Sequence, residues 1–109
     1  MSRYKLNEEK MFADVTDDVA IIINFDTGIY YGLNKLGTVI FEKLNNGISS
    51  ENILQKLKTF DSNIDENFYD FINMMLEKNL IIKTDDEDTN EDIEIDEEIV
   101  KEDEYLPVV

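Results

Sequence analysis

Side chains that could do chemistry are few in this chain, and the types on which most enzymes depend are missing. The sequence contains no cysteine and no histidine, which removes the common nucleophiles, general bases and soft metal ligands. Glu66 and Asp70 stand one helical turn apart and could in principle hold a cation. Exposed carboxylate pairs on helices are far more often solvated faces, so we assign no metal, no cofactor and no catalytic residue. The sequence therefore predicts a protein that is not an enzyme.

Backbone hydrogen bonding by residues 27–32 is the chemistry that remains. This segment reads Thr-Gly-Ile-Tyr-Tyr-Gly and contains no proline that would interrupt a β-ladder. An edge strand here would leave donors and acceptors free to bind an extended peptide. Tyr30 and Tyr31 point to opposite faces of such a strand. One of them should pack in the core and the other should line a peptide cleft, and the sequence leaves open which does which.

The elements that would position this segment are three short strands at 11–15, 19–24 and 29–33. The links between them are too short for crossovers, so an antiparallel meander is expected. The aliphatic run at 19–24 predicts a middle strand that is covered on both faces. The turn at 25–28 has Gly28 available for positive φ.

Three helices should follow the strands. They are predicted from Asn34 as N-cap to about residue 45, from 51 to about 59, and from Asp65 as N-cap to about 78, with an extended exit at 80–82. Gly47 suits a left-handed C-cap after the first helix. The predicted fold class is α+β and winged-helix-like, with a three-stranded antiparallel sheet followed by three helices.

Charge divides the chain and argues against nucleic acid as a partner. The net charge is −16, and residues 85–109 hold thirteen acidic side chains against Lys101 alone. We expect a flexible arm at 1–10, a folded domain at 11–84 and an acidic, disordered tail at 85–109. The tail could serve solubility, dock on a partner enzyme, or place Ile93, Ile95, Ile99 and the apolar C-terminal end on the Tyr30 strand.

The sequence also predicts where the protein works and in what state. The start of the chain has no apolar signal segment, and no apolar run approaches transmembrane length. We therefore expect a cytoplasmic protein that does not contact membranes, as a monomer or a weak dimer.

A run of motifs resembles a known family. The sequence D-T-G-I-Y-Y-G-L-N at 26–34, followed by K-L-G-T-V-I-F-E-K-L at 35–44, is similar to the PqqD-like family of RiPP recognition elements. The resemblance covers roughly residues 11–82 and leaves the acidic tail outside. It implies a peptide-binding chaperone domain, of use in natural product biosynthesis, that does no chemistry itself.

The resemblance also implies a mode of binding. The leader segment of a ribosomally synthesised precursor peptide would add as a strand to the third strand, with its side chains between that strand and the third helix. The domain would present it to a modifying enzyme, such as a radical SAM protein, a cyclase or a leader peptidase. The candidate peptide-binding residues are Thr27, Gly28, Ile29, Tyr30, Tyr31, Gly32, Tyr69, Ile72, Asn73 and Leu76. The alternative is an acidic winged-helix regulator or adaptor that binds a protein partner.

Overall fold

The computed structural model describes residues 2–86 and 94–102 and has α+β architecture, as the sequence predicts. The elements in chain order are β1 (Arg3–Leu6), β2 (Met11–Thr16), β3 (Val19–Asn24), β4 (Tyr30–Gly32), α1 (Lys35–Asn45), α2 (Ser50–Lys58), α3 (Asp65–Glu77), β5 (Ile81–Thr84) and α4 (Glu97–Glu102). The three-stranded antiparallel sheet has the order β2-β3-β4, and a second sheet pairs β1 with β5.

The N-terminal residues are not the loose arm that the sequence predicted. Residues 3–6 form β1, which pairs antiparallel with β5 from Arg3 opposite Thr84 to Leu6 opposite Ile81. Arg3 is buried, and its guanidinium donates to the Leu44 carbonyl oxygen at 3.2 Å. The polar composition of residues 1–10 suggested an arm. Local sequence patterns could not show the strand, because its partner β5 lies almost eighty residues further along the chain.

One face of the three-stranded sheet packs on the helices. Ala20 and Ile22 of β3 are fully buried on this inner face. The Thr38 hydroxyl of α1 accepts a hydrogen bond from the Ala20 N–H at 2.8 Å, which ties the helix to the middle strand. The prediction that β3 is covered on both faces is wrong for the described residues, because Ile21 on the outer face is 41% exposed.

The helix boundaries follow local capping chemistry. The Asn34 side chain accepts from the Gly37 N–H at 2.7 Å, which confirms it as the N-cap of α1, and Gly47 has the predicted positive φ of 105°. Asp65 does not cap α3. The N-cap is Ile64, which makes no side-chain cap bond, and Asp65 instead pairs with Lys58 at 3.1 Å. The Asp65 carboxylate, which the sequence assigned to the cap, is thus paired with the ammonium group of Lys58.

Part of the predicted disordered tail is folded onto the domain. Residues 97–102 form α4, which lies against α1. Val100 is buried, and Ile95 and Ile99 pack against the core. Burial of these apolar side chains favours docking of the segment despite its acidic neighbours. Ile93 and the apolar end at 105–109 lie outside the described residues.

Candidate functional site: an open sheet edge

The edge of β4 carries backbone groups that point away from the sheet. In an antiparallel pair, residues alternate between bonding to the partner strand and facing the other way. The Asn24 N–H donates to the Ile29 carbonyl at 2.8 Å, and the Leu33 N–H donates to the Ala20 carbonyl at 2.9 Å. Residues 29 and 33 are thus hydrogen-bonded to β3. Because bonded positions recur at every second residue, Tyr31, which lies opposite Ile22, is the residue of β4 that bonds to β3. The alternation therefore turns the N–H and C=O groups of the remaining two strand residues, 30 and 32, to the open edge.

Nothing in the described part of the chain occupies this edge. Within residues 2–86 and 94–102, β4 pairs with β3 and with no other strand. The segment α4, which follows the acidic run, lies against α1. The edge of β4 is thus free of the described part of the acidic tail.

A tight turn fixes where β4 begins. The Asn24 side-chain oxygen accepts from the N–H groups of Asp26 at 2.9 Å and Thr27 at 3.2 Å. Gly28 follows with φ of 73° and donates its N–H to the Asn24 carbonyl at 2.9 Å. Lys10 holds the outside of the turn through an exposed ion pair with Asp26 at 3.3 Å. These bonds set the register of β4 against β3 without using its outer edge.

The two tyrosines have different surroundings. Tyr31 shares the inner face with Leu33, packs against the core, and has the Lys78 Nζ atom 5.8 Å from its ring centroid. Tyr30 lies on the outer face and is 62% exposed. The structure thus confirms that the pair splits between the faces, and it assigns Tyr31 to the packed side.

Helix α3 presents one flank to the β4 side of the domain. A Cβ atom at Gly37 would lie 3.1 Å from the Phe71 ring, so the first turn of α1 packs closely on α3 there. Lys78, next to the end of the helix, contacts Tyr31. Met74 stands between them at helical spacing and is half-buried. Phe71, Met74 and Lys78 therefore mark the flank of α3 that is nearest to β4.

The α3 residues that the sequence singled out lie on another flank. Tyr69 is 45% exposed and lines a groove with the α2 residues Leu54, Gln55 and Lys58. Ile72, Asn73 and Leu76 follow Tyr69 at spacings of three, four and seven, so they share its flank. Their burial differs widely: Ile72 is buried in the core, Leu76 is half-buried, and Asn73 is exposed.

Of the two groups of residues that the sequence predicted for the site, one lies together at the edge of β4 and the other lies elsewhere. Thr27, Gly28, Ile29, Tyr30, Tyr31 and Gly32 form one continuous turn and edge strand, in which the first four residues are exposed and the last two half-buried. Tyr69, Ile72, Asn73 and Leu76 lie on the α2 side of α3. Lys78 was not among the candidate peptide-binding residues, although it contacts Tyr31. Its position seven residues after the buried Phe71 is the signal that could have placed it on the β4 side.

Other kinds of site find little support in the described residues. Residues 2–86 and 94–102 contain no group of three or more acidic side chains placed to hold a metal ion. In the same part of the chain, no helix has both the length and the apolar character needed to cross a membrane.

The fold and the site define a small α+β domain in which one edge of β4, beside a helix, is paired with no other strand of the described residues. A family model described as "Coenzyme PQQ synthesis protein D (PqqD)" matches residues 20–81, which is more than half of the chain. The protein therefore belongs to the PqqD family, whose members are accessory, chaperone-like proteins of coenzyme PQQ synthesis. No curated protein and no solved structure gave a significant match.

The matched region contains the candidate edge. It begins within β3 and ends at the first residue of β5, so it includes β4 and helices α1 to α3. Strands β1 and β2 and helix α4 lie outside the match. The family relationship thus applies to the edge strand and to the helix beside it, and additional elements of this chain surround them.

Proposed function

We propose that this protein binds the leader segment of a ribosomally synthesised precursor peptide by strand addition to β4. The bound leader is then delivered in the cytoplasm to a modifying enzyme, such as a radical SAM protein, a cyclase or a leader peptidase. The observation that carries this proposal is the outward orientation of the Tyr30 and Gly32 backbone groups. They offer two donors and two acceptors to an incoming strand, and membership of the PqqD family supports a role in peptide biosynthesis.

The energy available at such an edge is sufficient for useful binding. Four ladder bonds contribute about 1 kcal/mol each in net terms. Each apolar anchor that becomes fully buried adds roughly 2 kcal/mol. Micromolar binding needs about −8 kcal/mol, so ladder bonds and a few buried anchors reach it only if the ordering cost is small. A preformed edge, fixed by the turn at Asn24 to Gly28, keeps that cost low.

The strand-addition proposal is tested by removing one outward donor. Gly32→Pro deletes the N–H that faces the edge and leaves the bonds between Tyr31 and Ile22 in place, whereas Gly32→Ala keeps the donor. The probe is a synthetic peptide that covers the N-terminal part of any short open reading frame found next to the gene for this chain. Loss of one ladder bond should weaken binding about fivefold in the proline variant relative to the alanine variant.

Two results would argue against the proposal. Equal leader affinity of the proline and alanine variants would mean that the Gly32 donor is not used. Binding that falls steeply with salt and leaves the amide signals of residues 28–32 unmoved would instead favour an acidic adaptor.

A further inference from the structure

The outer face of the three-stranded sheet is apolar and uncovered by the described residues. Phe12, Ile23 and Tyr30 stand in register across β2, β3 and β4 and form what we call the outer row. Phe12 is 52% exposed, and its ring centroid lies 6.4 Å from that of Phe25. Solvated sheet faces usually carry polar side chains. An aromatic and aliphatic row in that position therefore indicates a surface with a binding role.

The outer row leads directly to the open edge. Tyr30 is its last member, and the backbone of Tyr30 faces outward from β4. A strand added at this edge would extend the row by one side chain, because residues directly opposite on neighbouring strands share a face. A peptide strand added at this edge would therefore contact both the backbone of β4 and the outer row.

Gly32 leaves a space beside the outer row. It is opposite Ile21 on β3, and Ile21 is 41% exposed. Because Gly32 has no side chain, a large residue of the added strand could lie across it and reach Ile21. Side chains that share one face of a strand are two residues apart. The two positions, beside Tyr30 and across Gly32, thus correspond to residues i and i+2 of the peptide.

A second copy of this chain is a poor occupant of this surface. Asp14 shares the outer face with Phe12, and Asp17, Asp18 and Asp26 are exposed in the turns at its ends. Two copies with a net charge of −16 each would bring these acids together. A peptide with apolar residues on one side and few acidic neighbours avoids that repulsion.

We propose that the outer face of the sheet selects peptides with apolar side chains at positions i and i+2, the one across Gly32 being aromatic. This inference rests on the proposed strand addition to β4. It adds a second recognition surface, on the side of the sheet opposite α3. Main-chain bonds hold the strand, and the outer row with Ile21 determines which peptides bind tightly.

The test uses peptides of known sequence and a matched pair of variants. Binders are selected from a random dodecapeptide display library on the full-length chain, and the most frequent one is synthesised. Ile21→Thr removes apolar surface from the outer face. Val15→Thr is the control, because Val15 is a β-branched residue with 42% exposure on the inner side of β2, far from the outer row.

The expected result is a selection for apolar residues at i and i+2 and a loss of affinity in one variant. Ile21→Thr should weaken the synthetic peptide about fivefold, and Val15→Thr should leave its affinity unchanged. Serine at the aromatic position of the peptide should weaken binding to the unmodified chain, and much less so to Ile21→Thr, because the two changes remove the same contact.

Two different failures are distinguishable. Suppose that the peptide shifts the amide signals of Tyr30 and Gly32, but that Ile21→Thr binds it as tightly as Val15→Thr does. The outer-face inference is then overturned and strand addition stands. If no selected peptide shifts those amides at saturation, or no peptide is selected, both proposals fail together.

Discussion

The Nζ atom of Lys78 lies 5.8 Å from the centroid of the Tyr31 ring. This contact joins the end of α3 to the inner side of β4, while the neighbouring residue Tyr30 presents its side chain to the outer face. The cation therefore stands next to the strand that offers its backbone for binding. A carboxylate of an added peptide could therefore pair with Lys78 on the inner side of the edge.

We expect Lys78→Met to weaken the binding of a leader that contains acidic residues. Removing this one exposed charge should cost roughly threefold in affinity and reduce the salt dependence of binding. Calorimetric titration at low and high salt measures both effects. Lys83→Met is the control, since it removes the same charge from an exposed position on β5. Equal losses in the two variants would show that only net charge matters.

Gly28 should resist replacement by residues other than asparagine. Its φ is 73°, and a Cβ atom there would meet nothing within 4 Å, so the cost is conformational and not steric. Gly28→Ala should lower the free energy of unfolding by about 1 kcal/mol, and Gly28→Asn should recover part of it because asparagine tolerates this conformation. Urea denaturation followed by circular dichroism measures the difference. Equal stability of both variants would contradict the role of the turn.

Most of the fold could be predicted because its signals are local. The Asn34 cap, the positive φ of Gly28 and the three helices depend on residues within one or two turns of each other. Strand β1 could not be predicted, because its partner β5 is supplied by the far end of the domain. For the tail, the sequence named Ile95 and Ile99 as side chains that could dock, but on the Tyr30 strand; in the structure they pack against the core, and α4 lies against α1.

The candidate site divides in the same way. Strand alternation predicted that Tyr30 and Tyr31 separate, but only the packing of α1 on α3 at Gly37 determines which flank of α3 is near β4. Tyr69 was assigned to the cleft because it is polar and aromatic. Its neighbours on α2 depend on how α3 is rotated about its own axis. The spacing of apolar residues does not define that rotation closely enough to assign Tyr69 to one side.

Glu51 should make the stability of the fold depend on pH in the acidic range. Burial acts to raise its pKa, but the hydrogen bonds that its carboxylate accepts from Ser2 and from its own backbone together lower the pKa below the ordinary value of 4.5. The Ser2 N–H donates at 2.6 Å. A lowered pKa in the folded state means that the charged form favours folding. This stability is present above pH 4.5 and is lost as the pH falls through the folded-state pKa.

Two charge-removing variants, Glu51→Gln and Glu66→Gln, isolate the contribution of Glu51 to the pH dependence of stability. Glu51→Gln should be less stable than the unmodified chain at neutral pH, and the difference should shrink as the pH is lowered below about 4.5. Glu66→Gln removes the same charge from an exposed site, so it corrects for the general relief of acidic repulsion. A difference that stays constant down to pH 3 would show that the bond with Ser2 does not depend on ionisation.

Val100 should contribute to stability without affecting the peptide edge. It is buried where α4 meets the core, and α4 lies against α1. Val100→Ala should lower the free energy of unfolding by about 1 kcal/mol, whereas the exposed Glu94→Ala should have little effect. Leader affinity should be the same in both variants. A gain in affinity on Val100→Ala would mean that the segment competes with the peptide after all.

Hydrogen exchange at β4 tests the central claim most directly. In the free chain, the amides of Tyr30 and Gly32 should exchange quickly, and the amide of Tyr31 should be protected by its bond to Ile22. Saturation with the leader should slow exchange at residues 30 and 32 and leave residue 31 as it was. Unchanged exchange at Tyr30 and Gly32 with bound leader would contradict strand addition to β4.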